Sequence, residues 1–152
     1  MKKNLRFLNK KHIKEILGLI KKQWSADAEL DYVVVMNEEG KIYLVNREIA
    51  DVPLDNLRID SLGSYFGQLK NNTLRLSIEG SQIIGTKAKK NVYNMTDDET
   101  KRWIMGEDLA TNESSEEFVL MKHNNDFLGT GKIKEGKVLN FVPKGRRLKV
   151  VV

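Results

Sequence analysis

Turn signals divide this chain into short pieces, and no apolar run between them is long. Asn37-Glu38-Glu39-Gly40, Asn71-Asn72, Asn124-Asn125-Asp126 and Glu135-Gly136 each stand between short apolar or aromatic stretches. Asn and Gly tolerate the left-handed backbone that tight turns demand, so the pattern predicts hairpins. The paired stretches are Asp31–Met36 with Lys41–Val45, Leu62–Leu69 with Thr73–Ser77, and Phe118–Met121 with Phe127–Ile133, the last continuing into Val138–Val142. The longest apolar run, Tyr32 to Met36, is far short of the roughly 20 residues a membrane span needs. Lys10, Lys11 and Lys14 return charge before a signal-peptide core can form. The expectation is a soluble cytoplasmic protein, nucleolar in a eukaryotic source, with no membrane partner.

Between the hairpins the period changes from two to 3.6. Ile13, Ile16, Leu17, Ile20 and Trp24 follow a capping Asn9 and predict a helix over 10–24, with Lys10, Lys11, Lys14, Lys21 and Lys22 mainly on its other face. Ser77 opens a short helix that runs through Ile84 to Gly85. Thr96-Asp97-Asp98-Glu99 is a capping box, Thr at the N-cap and Glu three residues on, for a helix carrying Trp103 and Ile104 as far as Gly106. Pro53 breaks the pattern and 54–62 takes no assignment. Residues 110–117, ATNESSEE, read as an exposed acidic loop, and Arg147–Val152 as a last strand. The small-and-basic connector Thr86-Lys87-Ala88-Lys89-Lys90 marks a boundary between 1–86 and 87–152. The expected class is α+β: an N-terminal α/β domain followed by a small mixed β-barrel.

The apolar share of 40% is too high for a disordered chain, and 152 residues suit one domain or two very small ones. Cysteine is absent, which excludes a disulfide scaffold, a thiolate zinc site and a cysteine nucleophile. His12 and His123 have no Asp, Ser or second His at a spacing that suggests a triad or metal site, and both read as surface residues. Asp97, Asp98 and Glu99 fit the first turn of a helix better than a metal cluster. The expectation is therefore a non-catalytic protein with no cofactor and no metal.

The net charge of +5 hides a segregation. Residues 1–28 carry +6, 29–92 carry −1, 93–128 carry −6 and 129–152 carry +6. Clustered Lys and Arg release counterions when they neutralise phosphates, so two basic ends point to a polyanion. Gly129-Thr130-Gly131-Lys132 is not a P-loop, because Asp126 stands where Gly is required, Ile133 where Ser or Thr is required, and a strand follows. Its glycines predict a kinked strand or close approach of a ligand backbone. Tyr65, Phe66, Tyr93, Trp103 and Phe141 could stack on bases, but aromatics in alternating strands are mostly core. The strongest signal is Lys132, Lys134 and Lys137, followed by Pro143-Lys144-Gly145-Arg146-Arg147-Leu148-Lys149, where Pro and Gly set the cations on a turn.

Asn91–Met95, Trp103-Ile104-Met105-Gly106-Glu107-Asp108-Leu109 and Phe127-Leu128-Gly129-Thr130-Gly131 resemble a PUA domain, an RNA-binding pseudo-barrel. The ending Asn140-Phe141-Val142-Pro143-Lys144-Gly145-Arg146-Arg147 is similar to the PUA-like C-terminal domain of ribosomal RNA cytosine methyltransferases. Ser61-Leu62-Gly63-Ser64-Tyr65-Phe66-Gly67-Gln68-Leu69 and Leu74-Arg75-Leu76-Ser77 resemble the pre-PUA domain of the Nip-seven family of ribosome-assembly factors. The resemblance implies RNA binding in ribosomal RNA maturation or modification and ribosome assembly. The RNA contacts it points to, together with the charge pattern, are Lys132, Lys134, Lys144, Arg146, Arg147, Lys149, Gly129 and Gly131, extended by Lys87, Lys89 and Lys90. The alternative is an adaptor that docks an RNA methyltransferase or assembly factor through the acidic 93–128 segment and the Tyr65-Phe66 region.

Overall fold

A computed structural model of the protein describes residues 5–48 and 63–149. Pro53, the unassigned 54–62 segment and residues 150–152 lie outside them. Helix α1 spans Lys10–Trp24, and the Asn9 side chain accepts the His12 N–H at 3.0 Å. Its apolar stripe buries Ile16, Ile20 and Trp24 while the five lysines stay exposed, as the 3.6 period requires.

Strands β1 (Arg6–Phe7), β2 (Val33–Met36), β3 (Lys41–Val45), β4 (Ser64–Lys70) and β5 (Thr73–Leu76) form an antiparallel meander in chain order. Asn71 and Asn72 turn between the last two with φ of 52° and 60°, the two left-handed residues of a type I′ hairpin. The free edge of β5 is closed by a side chain. Buried Gln23 of α1 donates to the Leu74 carbonyl and accepts the Leu74 N–H, both at 2.8 Å. Ser77 then caps helix α2 (Ile78–Gly85), its hydroxyl accepting the Gly80 N–H at 2.9 Å.

A second sheet holds β6 (Val92–Asn94), β7 (Leu109–Ala110), β8 (Val119–His123), β9 (Asp126–Lys134) and β10 (Lys137–Asn140) in the order β6-β8-β9-β10-β7. Only β6 and β8 run parallel, and the sheet curls as a half-barrel. Helix α3 (Asp97–Ile104) carries the capping box, with the Thr96 hydroxyl and the Glu99 carboxylate each taking the other's backbone N–H. Trp103 is fully buried and donates its indole N–H to the Leu128 carbonyl at 2.7 Å.

Two readings change here. Leu109–Ala110 is a strand paired with β10, not the start of the acidic loop; two residues are too few to show a period. Lys144–Arg146 forms a 3-10 turn, and no strand follows over Arg147–Lys149. The backbone there is spent elsewhere, as the Leu148 N–H binds the Ile104 carbonyl at 2.9 Å, and the Arg147 side chain turns back to donate from Nε to the Val142 carbonyl at 3.0 Å.

The hydrophobic core is continuous across the connector. Ile20, Trp24, Phe66, Leu74 and Ile84 cluster with Leu120 and Phe127 of the second sheet, while Tyr93, Trp103, Leu109, Met121 and Val138 fill the half-barrel. The connector itself closes the end of α1, as Lys89 and Lys90 give their N–H groups to the Trp24 carbonyl at 2.8 and 3.3 Å. Trp24 Nε1 reaches the Phe118 carbonyl at 2.9 Å, and Asn91 Nδ2 the Gln23 carbonyl at 2.5 Å. Among the described residues no helix is long and apolar enough to cross a membrane.

Candidate nucleic-acid interface

A groove of about 670 Å³ runs between the outer face of the first sheet and the second. Cross-strand register builds its first wall. Lys41 of β3 pairs with Gln68 of β4, and Gln68 with Arg75 of β5, so three polar side chains lie in one row. The Arg75 guanidinium donates to Gln68 Oε1 at 2.8 Å, and Gln68 Nε2 to the Glu39 carbonyl at 2.9 Å. A bulge in β4 then matters: Ile42 faces Gly67 while Tyr43 faces Tyr65, so Tyr65 and Gln68 share the outer face although three residues apart. An unbroken strand would send them to opposite faces. The second wall comes from Leu128, Gly129 and Thr130 of β9 and from Phe141 to Pro143 and Arg146.

Among the described residues, Lys41, Arg75 and Arg146 line this groove with the carboxylate Glu79, and Lys41 also lies 3.6 Å from Glu39 Oε2. Arg146 pairs with Glu79, and both are substantially exposed, at 51% and 36% of their side-chain surface. Exposed pairs of this kind are worth about 0–1 kcal/mol, so opening this one costs little. Arg146 can therefore exchange its partner for an incoming anion. A row of cations and rings extends from the groove: Arg75 Cζ stands 4.6 Å from the Phe141 ring centroid, Phe141 meets Phe118 edge-on at 5.7 Å, and Lys132 Nζ lies 5.4 Å from the Phe118 centroid.

The expected contact residues separate into groups. Arg146 lines the groove, and exposed Lys144 sits beside it in the 3-10 turn. Lys132, also bonded to the Glu116 carbonyl, and exposed Lys134 follow one another along β9. Arg147 turns inward to the Val142 carbonyl and is half-buried over Gly106, while Lys149 is exposed beyond it. Gly129 and Gly131 are both buried. Gly129 borders the groove with φ of +89° and donates its N–H to Ser81 Oγ at 2.8 Å. A methyl on Gly131 would overlap Val138 and come within 3.0 Å of Trp103, so its missing side chain serves packing of the half-barrel. Lys87, Lys89 and Lys90 are exposed but follow the C-terminal end of α2, whereas Glu79 and Arg146 meet at its start. Six helical residues, 80–85, lie between the two sets and span about 9 Å along the axis. The Asp27 carboxyl is held below its usual range chiefly by the hydrogen bond from Lys21, with a smaller contribution from the charge of Lys89.

Sequence reading missed Lys41 and Arg75. Arg75 does carry a local signal, since it stands between buried Leu74 and Leu76 and so must face outward. Of the five aromatics considered for stacking, Phe66, Tyr93 and Trp103 are core, whereas half-buried Tyr65 and 37% exposed Phe141 line the groove. The histidines also differ from expectation. His12 is half-buried, and His123 Nε2 lies 2.6 Å from Asp97 Oδ1, because the parallel pairing of β6 with β8 brings the end of β8 to the start of α3. Asp98 pairs with Arg102 at 3.0 Å, so all three carboxylates of the capping turn have protein partners.

The family model for the methyltransferase RsmF PUA domain matches residues 90–148. These residues are a PUA-like domain. It is related to the C-terminal domains of ribosomal RNA cytosine methyltransferases, and PUA domains are an RNA-binding class. The match spans β6 through the 3-10 turn and so contains the whole second wall of the groove. No curated protein matches the chain.

Proposed function

We propose that this protein is a non-catalytic RNA-binding factor acting in ribosomal RNA maturation or modification, with residues 1–86 serving as a pre-PUA-like platform for the PUA-like domain. The observation that carries this reading is the groove: one wall belongs to the PUA-like domain, and among the described residues Lys41, Arg75 and Arg146 line it with the carboxylate Glu79. Lys144 beside Arg146, and Lys132 over the Phe118 ring that meets Phe141, extend positive charge from it, where phosphates would release their counterions. Titration of the full chain with ribosomal RNA fragments across a salt series tests it. Affinity should fall steeply with salt, and Arg75→Ala/Arg146→Ala should reduce the log–log slope by about 0.7–0.9 for each phosphate that is no longer neutralised. Equal affinity and slope in parent and variant would remove the groove from the interface.

A second reading is an adaptor for an RNA-modifying enzyme or ribosome-assembly factor. It is favoured by the acidic 93–128 segment, whose Glu107, Asp108, Glu113 and Glu116 are exposed. An adaptor would bind RNA weakly and without preference among fragments.

A further inference from the structure

The groove holds a feature that phosphate binding does not use. The Arg75 guanidinium is backed by the Phe141 ring at 4.6 Å and braced by Gln68 Oε1 at 2.8 Å, so it is held in place before any ligand arrives. Phe141 is itself buttressed by Phe118 and remains 37% exposed, so part of its surface is open to the groove. Tyr65 lines the same groove and stands 5.6 Å from Tyr43, centroid to centroid. Flat guanidinium and aromatic groups beside cations complement one ligand chemistry in particular: a nucleobase out of its stack, with phosphates on either side. A fully paired helix offers only its edges and backbone to such a site.

We propose that the groove takes an unpaired nucleotide of RNA, its base stacked on the platform formed by Arg75 and Phe141, with Arg146 and Lys41 holding the adjoining phosphates. This rests on the RNA-binding reading above and adds to it which form of RNA is preferred and which side chains choose it. Simple electrostatic binding would favour any RNA of equal charge density, whereas stacking discriminates by the availability of a base face.

The test compares two RNAs with the same total number of nucleotides and the same charge, one a perfect duplex and one with one base pair fewer and a two-nucleotide bulge, by fluorescence anisotropy with the full chain. The quantity read is the ratio of the two affinities, so any change in charge-driven binding common to both cancels. The parent should favour the bulged RNA by about 5- to 150-fold, the range that stacking of one base supplies. Arg75→Lys keeps the charge but loses the planar group, and Phe141→Leu keeps apolar bulk but loses the ring; each should bring the ratio towards one. Phe141→Tyr should retain it, and thermal melts matching the parent's would exclude a folding defect. Equal affinity of the parent for both RNAs, or an unchanged ratio in Arg75→Lys and Phe141→Leu, overturns the stacking site and leaves RNA binding standing. Failure of the parent to bind either RNA at low salt overturns both.

Discussion

Gly131 and Gln23 show how much single positions decide. At Gly131 a methyl group would overlap Val138 and press on Trp103, both fully buried. Gly131→Ala should therefore destabilise the fold by about 1–3 kcal/mol through overpacking, read as a lower urea midpoint; an unchanged midpoint would mean that the half-barrel yields more readily than its packing indicates. Gln23 satisfies both backbone groups of Leu74 at once. Gln23→Leu leaves a buried donor and a buried acceptor unpaired, each costing about 1–3 kcal/mol, and the loss should appear in the same measurement. Asn9, Ser77 and Thr96 are different in kind, because each cap acts on a backbone N–H three residues away and is readable from spacing alone.

Among elements, α3 and β6 are joined by a titratable contact. Tyr93 of β6 donates its hydroxyl to Glu99 Oε2 at 3.1 Å, while the other oxygen of Glu99 closes the capping box. Burial, first, and then the neighbouring Glu99 carboxylate hold the phenol above its ordinary value. A phenol raised in the folded state favours the protonated form. Its contribution is fully present below the unfolded value near pH 10 and is lost as pH rises through the folded value. Stability followed from about pH 9 to pH 11 should fall, and Tyr93→Phe should flatten that decline. A parallel decline in both proteins would assign the alkaline loss to other groups. Thr96→Ala removes the reciprocal cap at the start of the same helix, and a cost of about 1 kcal/mol is expected at neutral pH, measured by urea unfolding.

For the molecule as a whole, the two sheets share one cluster in which Ile84 and Phe66 pack with Leu120 and Phe127. A methyl on Gly85 would overlap the Phe127 ring, which shows how closely α2 lies on β9. Heat or urea should then unfold both halves together, with tryptophan fluorescence (Trp24 in one, Trp103 in the other) and far-ultraviolet circular dichroism tracing coincident transitions. Separate transitions would mean that the shared cluster is too weak to couple them. The same packing bears on the groove, since its two walls keep their spacing only while α2 stays seated between the sheets. Thr130 Oγ1 bonded to the Leu76 carbonyl at 2.9 Å, and Gly129 N–H bonded to Ser81, fix that seat.

What the sequence determined by itself is local. Positive-φ turns at Asn71-Asn72, Asn124 and Glu135-Gly136, the caps at Asn9, Ser77 and Thr96, and the buried stripe of α1 follow from backbone preference and period. The PUA-like likeness of the second half was legible for the same reason, because the order of its turns, cap and aromatic helix lies along the chain. Short or irregular pieces were not legible: β7 has two residues, and the tail spends its backbone on α3 instead of a strand. The make-up of the groove was decided by tertiary structure alone. Glu79 and Arg146 are 67 residues apart, Tyr65 faces outward because of a bulge opposite Ile42 and Tyr43, and Phe141 is exposed while Phe66 is fully buried. Charge and aromatic content are properties of a sequence. Which cations and rings share one surface depends on how two sheets close on one helix, and that arrangement forms only when distant segments pack.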